Sequence, residues 1–277
     1  MTHVTQHPLD EALQLQPLDI EGHYAGSPHA AYGNMVGPFG GATAAQMLQA
    51  VLQHPARLGE PVALTVNFAA GVKDAPFRIE AHPARTNRST QHWTVTLLQA
   101  EDDGSESTVI TATAVTAVRR TTWGAQDLAV PKVPAANEVA RSTGASMVRW
   151  IERYEMRPLA GTIPSQWDGA ESDSLSRLWV RDDPPRPLDF ASLTALSDVF
   201  FPRVWLRRAR MTPIGTVSMT VYFHASSAEL AEVGDGYLLA QARSQAFFNG
   251  FFDQSAELWS EAGRLLATTH QVVYYKE

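Results

Sequence analysis

The chain repeats itself, and this limits its possible folds more than any other feature. Leu64-Thr65-Val66-Asn67-Phe68 resembles Met219-Thr220-Val221-Tyr222-Phe223 at an offset of about 155 residues. The last strand-like run of each half, residues 108–118 and 264–275, keeps nearly the same offset. Each half reads as a short strand, a helix and then an antiparallel meander. In the first half, residues 22–26 read as a strand. Residues 38–53 read as a helix, because Ala44, Met47, Leu48, Val51 and Leu52 fall at helical spacing. Residues 62–71, 76–86, 91–99 and 108–118 then read as four strands. In the second half, residues 147–159 and 175–181 read as strands and residues 189–202 as a helix. Asp189 is its N-cap, and Pro202 ends or kinks it. Strands over residues 215–224, 237–248, 250–259 and 264–275 complete the copy.

A curled antiparallel sheet must bury one face, and a helix laid across it does that. Written twice, this is an α+β chain of two like units, expected at residues 1–120 and 147–277. Residues 121–146, rich in Pro, Gly, Ala and small polar side chains, read as a linker with a short helix near 135–141. With 277 residues, 44% of them hydrophobic, the chain can fill two small cores.

The same inventory excludes several functions. Twenty-two basic residues against 29 acidic ones, with no basic stripe, predict no nucleic-acid partner. The absence of cysteine removes disulfides, thiolate nucleophiles and Cys-ligated zinc, and it fits a cytoplasmic protein. The N-terminal stretch has no apolar signal core, and no apolar run is long enough for a membrane span. There is no G-x-S-x-G elbow and no H-E-x-x-H, and the nine histidines show no ligand spacing, so neither metal nor cofactor is expected.

Five places carry possible chemistry. Asp198 sits among Leu196, Val199, Phe200 and Phe201. A carboxylate in such apolar company loses hydration, its pKa tends to rise, and it can serve as a general base. The plainer reading is an Asp on a polar helix edge beside Ser197. Thr216 lies on an alternating strand, whose period puts Thr216, Ser218, Thr220, Tyr222 and His224 on one face. Gln271 sits mid-strand beside Val272 and Val273 and needs partners for its amide. Gly40 and Gly41 open the first-half helix. Their backbone N–H groups can receive an oxyanion or phosphate, or the glycines simply allow a tight turn. Arg203, Arg207, Arg208 and Arg210 read first as a solvated basic helix end, with phosphate contact as the alternative.

At these residues the chain resembles the bacterial acyl-CoA thioesterase II family. Ser197-Asp198 looks like that family's catalytic Ser-Asp pair. Gly215-Thr216-Val217, followed by Tyr222-Phe223-His224, is similar to the strand holding its catalytic threonine. Leu266-Ala267-Thr268-Thr269-His270-Gln271 is similar to the last strand with its glutamine, and Gly250-Phe251 to the strand before it. Phe39-Gly40-Gly41 looks like the family's F-G-G signature, and Arg88-Ser89 like a polar pair before a strand. The likeness implies a double hot-dog fold and hydrolysis of acyl-CoA to free acid and CoA. It implies catalytic Asp198, Thr216 and Gln271, with Gly40 and Gly41 binding substrate. It also implies a homo-oligomer, a role in lipid metabolism and one working site per chain, since the first-half helix has no acid matching Asp198. Departures stand at Ala42-Thr43, at residues 202–211 and at residues 161–173. A hydratase of the same fold would want a histidine within a few residues of Asp198, and residues 199–210 hold none. A non-catalytic acyl-binding protein is the remaining rival.

Overall fold

The computed structural model describes residues 6–143 and 147–277. Residues 144–146, the end of the expected linker, and residues 1–5 lie outside the described residues. The elements run α1 (Pro8–Ala12), β1 (Gln16–Pro17), β2 (His23–Gly26), α2 (Gly40–Leu52), β3 (Glu60–Phe68), β4 (Phe77–Thr86), β5 (Thr90–Ala100) and β6 (Glu106–Ala117). After the connection come β7 (Tyr154–Ala160), β8 (Ser176–Asp182), α3 (Phe190–Leu196), α4 (Arg203–Arg208), β9 (Ile214–Phe223) and α5 (Ser227–Val233). The chain closes with β10 (Leu238–Arg243), β11 (Phe247–Phe248), β12 (Phe251–Ser260) and β13 (Leu265–Tyr275).

All the strands join one antiparallel sheet, in the order β1-β2-β4-β5-β6-β3-β9-β13-β12-β10-β8-β7, with β11 paired to β12. The order mirrors itself about the β3–β9 pair. There Thr65 faces Thr220, and their hydroxyl oxygens are 3.0 Å apart, at a sequence separation of 155 residues. That separation equals the repeat offset, so the pseudo-two-fold axis relating the halves passes between these two threonines.

Helix α2 is buried over Gly41–Leu48 and again at Ala50 and Val51. A helix apolar on nearly every side belongs between two layers. It packs on β3, β4, β5 and β6 on one side and on α3 on the other. Side chains from both halves, among them Leu64, Trp93, Leu193 and Val221, form one continuous core.

Several elements differ from the sequence reading. Residues 147–159 are not one strand: Arg149–Arg153 form a 3-10 turn that places Trp150 in the core, and β7 starts only at Tyr154. The expected helix over residues 189–202 is α3 alone. Asp189 caps it as expected, accepting from the Ser192 N–H at 2.8 Å. The hydroxyls of Thr194 and Ser197 then donate back to the carbonyls of Phe190 and Leu193, competing with the helix ladder near its end. Phe201, held extended by the following proline, completes the stop. Asp198 therefore sits just past the helix rather than within it. Helix α5 has a signature in the sequence, the reciprocal Ser226–Glu229 capping box.

The connection between the halves lies on the molecule. Ala136 and its neighbours Val133 and Val139 cover Trp179, Leu239 and Trp259, a row across β8, β10 and β12. The Trp179 indole donates to the Pro134 carbonyl at 3.0 Å. Among the described residues, no helix is long and apolar enough to cross a membrane.

Candidate active site

The two copies meet at the start of α2 and the end of α3. A methyl group on Gly41 would stand 2.6 Å from the Ala195 carbonyl oxygen and 2.7 Å from the Phe39 ring. One on Gly40 would stand 2.9 Å from the Asp198 Oδ2. Only glycine allows this approach. Phe39, at the N-cap of α2, offers no side-chain acceptor, so the first N–H groups of this 13-residue helix have no side-chain cap. Phe39 is pinned instead by stacking on Trp150, ring centroids 4.3 Å apart.

Into this corner points Asp198. The residue keeps only partial exposure, and protein surrounds its carboxyl. Desolvation pushes its pKa up to about 6, against the opposing effects of the Gln271 amide and the Gly41 backbone N–H. Gln271 Nε2 donates to Asp198 Oδ1 at 2.8 Å. Gln271 is 2% exposed, so this bond answers its amide's need for a partner.

Thr216 arrives by an irregularity. Simple alternation sets it opposite to Met219 and hence away from Gln271, which pairs with Met219. The register shifts between Val272 and Val273, so Thr216 rather than Val217 faces Val273. Val273 and Gln271 are two residues apart and share a face. This bulge at Val217 turns Thr216 to the Gln271 side, while Ser218, Tyr222 and His224 stay on the other. The expected five-residue row is thus corrected to exclude Thr216. Among the described residues, no hydrogen bond joins the half-buried Thr216 to Asp198.

The structure thus brings together Asp198, Gln271, Gly40 and Gly41, and sets Thr216 on the same face. Arg203 is another matter. It is fully buried, donating to the carbonyls of Phe201 and Ser174 and to the Ser176 hydroxyl. Burial pushes its pKa down to about 9. It is an internal tie and cannot meet a ligand's phosphates. Arg88 is exposed in the β4–β5 turn. Sequence reasoning missed Trp150, whose stack on Phe39 fixes the Gly40-Gly41 turn. Two surface depressions, one beside α1 and one beside α4, are not lined by Asp198.

The comparisons with known proteins speak to the family and the fold. Residues 29–117 match the model of the acyl-CoA thioesterase N-terminal domain, and residues 125–275 match that of the acyl-CoA thioesterase C-terminal domain. A hot dog fold protein of unknown function from Alicyclobacillus acidocaldarius is 48% identical, with a TM-score of 0.90 over 98% of this chain and 99% of that one. The acyl-CoA thioesterase II TesB2 of Mycobacterium marinum has a TM-score of 0.74 at 18% identity, over 97% of this chain and 98% of that one. The tesB protein of Mycobacterium avium subs paratuberculosis has a TM-score of 0.75 at 18% identity, with the same coverages of 97% and 98%. At that identity the two mycobacterial proteins speak to the fold alone. Among curated proteins, none matches. With both domain models matched in order along its length, the chain belongs to the acyl-CoA thioesterase II family.

Proposed function

We propose that this protein hydrolyses acyl-CoA thioesters with a water activated by Asp198. The observation that carries the reading is the buried carboxyl of Asp198, held by Gln271 at 2.8 Å against the glycine-opened start of α2. A base with pKa about 6 is ionised at neutral pH, yet strong enough to take a proton from water in the transition state. Thr216 and Gln271 orient that water toward the thioester carbonyl. As water adds, charge collects on the carbonyl oxygen. With the Gly41 N–H bonded to the Asp198 carboxylate, the Gly40 N–H at the start of α2 is the donor assigned to it. The tetrahedral species then collapses, the C–S bond breaks, and the proton held by Asp198 passes to the leaving sulfur, so that CoA departs as the thiol and the carboxylic acid remains.

In this reading the molecule is a double hot-dog. Its units span residues 1–120 and 147–277, joined by residues 121–146, and α2 and α3 are the paired central helices. One site works per chain. The buried polar residues of α2 are already bonded, Thr43 to the Phe39 carbonyl and Gln46 to the carbonyls of Ala12 and Ser27, and the helix carries no acid. Further copies assemble in solution, and the protein works in the cytoplasm.

The test is thiol release from a panel of acyl-CoAs by the wild type and Asp198→Asn. General-base loss costs roughly 10²–10⁴-fold, so turnover should fall by at least a hundredfold in the variant. Equal turnover in both would discard Asp198 and keep the thioesterase. No turnover by the folded wild type at any chain length would favour a non-catalytic acyl-binding protein.

A further inference from the structure

The two segments that depart from the family pattern, residues 161–173 and 202–211, pack against each other. Ser172 N–H donates to the Arg207 carbonyl at 3.1 Å, and Gly169 N–H to the Ala209 carbonyl at 3.2 Å. Trp167 meets Trp205 edge-on at 5.9 Å. The loop thereby satisfies carbonyls at the end of α4 and fixes where its arginines project. Arg207 and Arg208 line a depression together with Ser244 and the exposed Phe248. Two acids, Glu171 and Asp173, share its rim.

We propose that this depression docks the phosphorylated nucleotide end of the CoA substrate, a reading that rests on the thioesterase function above. Its place in the fold sets the reach. Val273 lies two residues beyond Gln271, faces Phe252 across the ladder, and Phe252 faces Phe247 on the depression's rim. Two residues along a strand and two strands across put Phe247 roughly 12 Å from Gln271. That is a span for an extended pantetheine arm, with the thioester at one end and the nucleotide at the other. Val204 and Trp205 of α4 pack on Phe252 and Val273, so the helix follows this line.

The chemistry also fits. Guanidinium groups bind phosphate through paired N–H donors, and an exposed phenyl ring offers a face for a purine. Phe248 is 73% exposed, so its ring face is open to a ligand. Arg207 pairs with Glu171, and Arg208 with Glu277, carboxylates that are 70% and 65% exposed. Ion pairs that wet are worth little and yield readily to a doubly charged phosphate. Arg210, next along, makes no ion pair among the described residues.

The experiment compares one acyl group carried on CoA and on pantetheine, which lacks the nucleotide. The wild type is expected to show a lower KM for acyl-CoA. Arg208→Ala and Phe248→Ala should each cut that preference, by about tenfold for the arginine, through KM rather than kcat. Lys132→Ala, a charge lost from the exposed connection, should keep the preference and so exclude a general effect of net charge. An unchanged preference in both site variants would overturn the docking site while leaving the thioesterase reading intact. Equal losses on both substrates would overturn it as well, as the mark of a merely structural role. No hydrolysis of either substrate by the wild type would remove the reading beneath it, and the site with it.

Discussion

In the proposed mechanism Asp198 meets opposite demands for stability and for chemistry. Its pKa is raised from 3.8 to about 6 because the folded protein disfavours its charged form. A group raised in this way supports the fold below its unfolded pKa. That support is lost as pH rises through the folded value. At pH 8 the ionised carboxylate therefore costs up to about 3 kcal/mol. Asp198→Asn should gain stability by at most that amount at pH 8 and show no gain at pH 4. Chemical denaturation at the two pH values checks this, and equal effects at both would contradict it. Asp182 is a second buried acid, pushed up to about 7 by desolvation and bonded to the Ser192 hydroxyl. Its titration overlaps the same range, so Asp182→Asn is the needed control in any pH study. The acidity of Asp198 was legible from its apolar neighbours alone. Its partner was not, because Gln271 is 73 residues away and only the sheet order brings the two together.

Two local devices set the site at the level of elements. The first is the glycine pair of α2. Gly41→Ala would push a methyl into the Ala195 carbonyl and the Phe39 ring, forcing α2 away from α3. The cost expected is about 1–3 kcal/mol in stability, together with most of the activity, since Asp198 loses the helix start. Full activity in a folded Gly41→Ala protein would show that this contact does not matter. The second is the bulge at Val217. Deleting Val217 should remove the extra residue and leave Thr216 beside Ser218, opposite Val273 and still on the Gln271 side. Activity should then stay above that of Thr216→Ala; a folded deletion variant as slow as Thr216→Ala would contradict this account of the bulge. The strands and α2 were readable because their periodicity is strong and local. The bulge was not, since it is a fact of pairing between β9 and β13 rather than of either sequence. The short α3 was masked because Ser197, Asp198 and Val199 extend an apolar run past the point where hydroxyl back-bonding ends the helix.

For the whole molecule, the repeat predicts two like units, and contacts between the two halves of the chain tie them together. The Thr65–Thr220 pair sits at the seam, and Arg186 of the second half bonds Asp10 of α1 and Asp189 at the start of α3. Arg119 crosses as well, donating to the carbonyls of Pro61 and Phe223. The second half holds Asp198, Thr216 and Gln271, but the glycines come from the first. Residues 147–277 expressed alone should therefore be inactive on acyl-CoA, with β9 left as an open, association-prone edge. Activity in a monomeric fragment would refute that dependence. The pairing of Asp198 with Gln271 is tested most directly by the pH dependence of kcat/KM for acyl-CoA hydrolysis, in the wild type and in Gln271→Ala. Wild-type activity should rise with pH through an apparent pKa near 6 and then level. Removing the Gln271 amide withdraws a bond that favours the carboxylate, so the limb should move to higher pH as the plateau falls. A limb that stays in place in Gln271→Ala, or a flat wild-type profile from pH 5 to 8, would contradict Asp198 as a base tuned by Gln271.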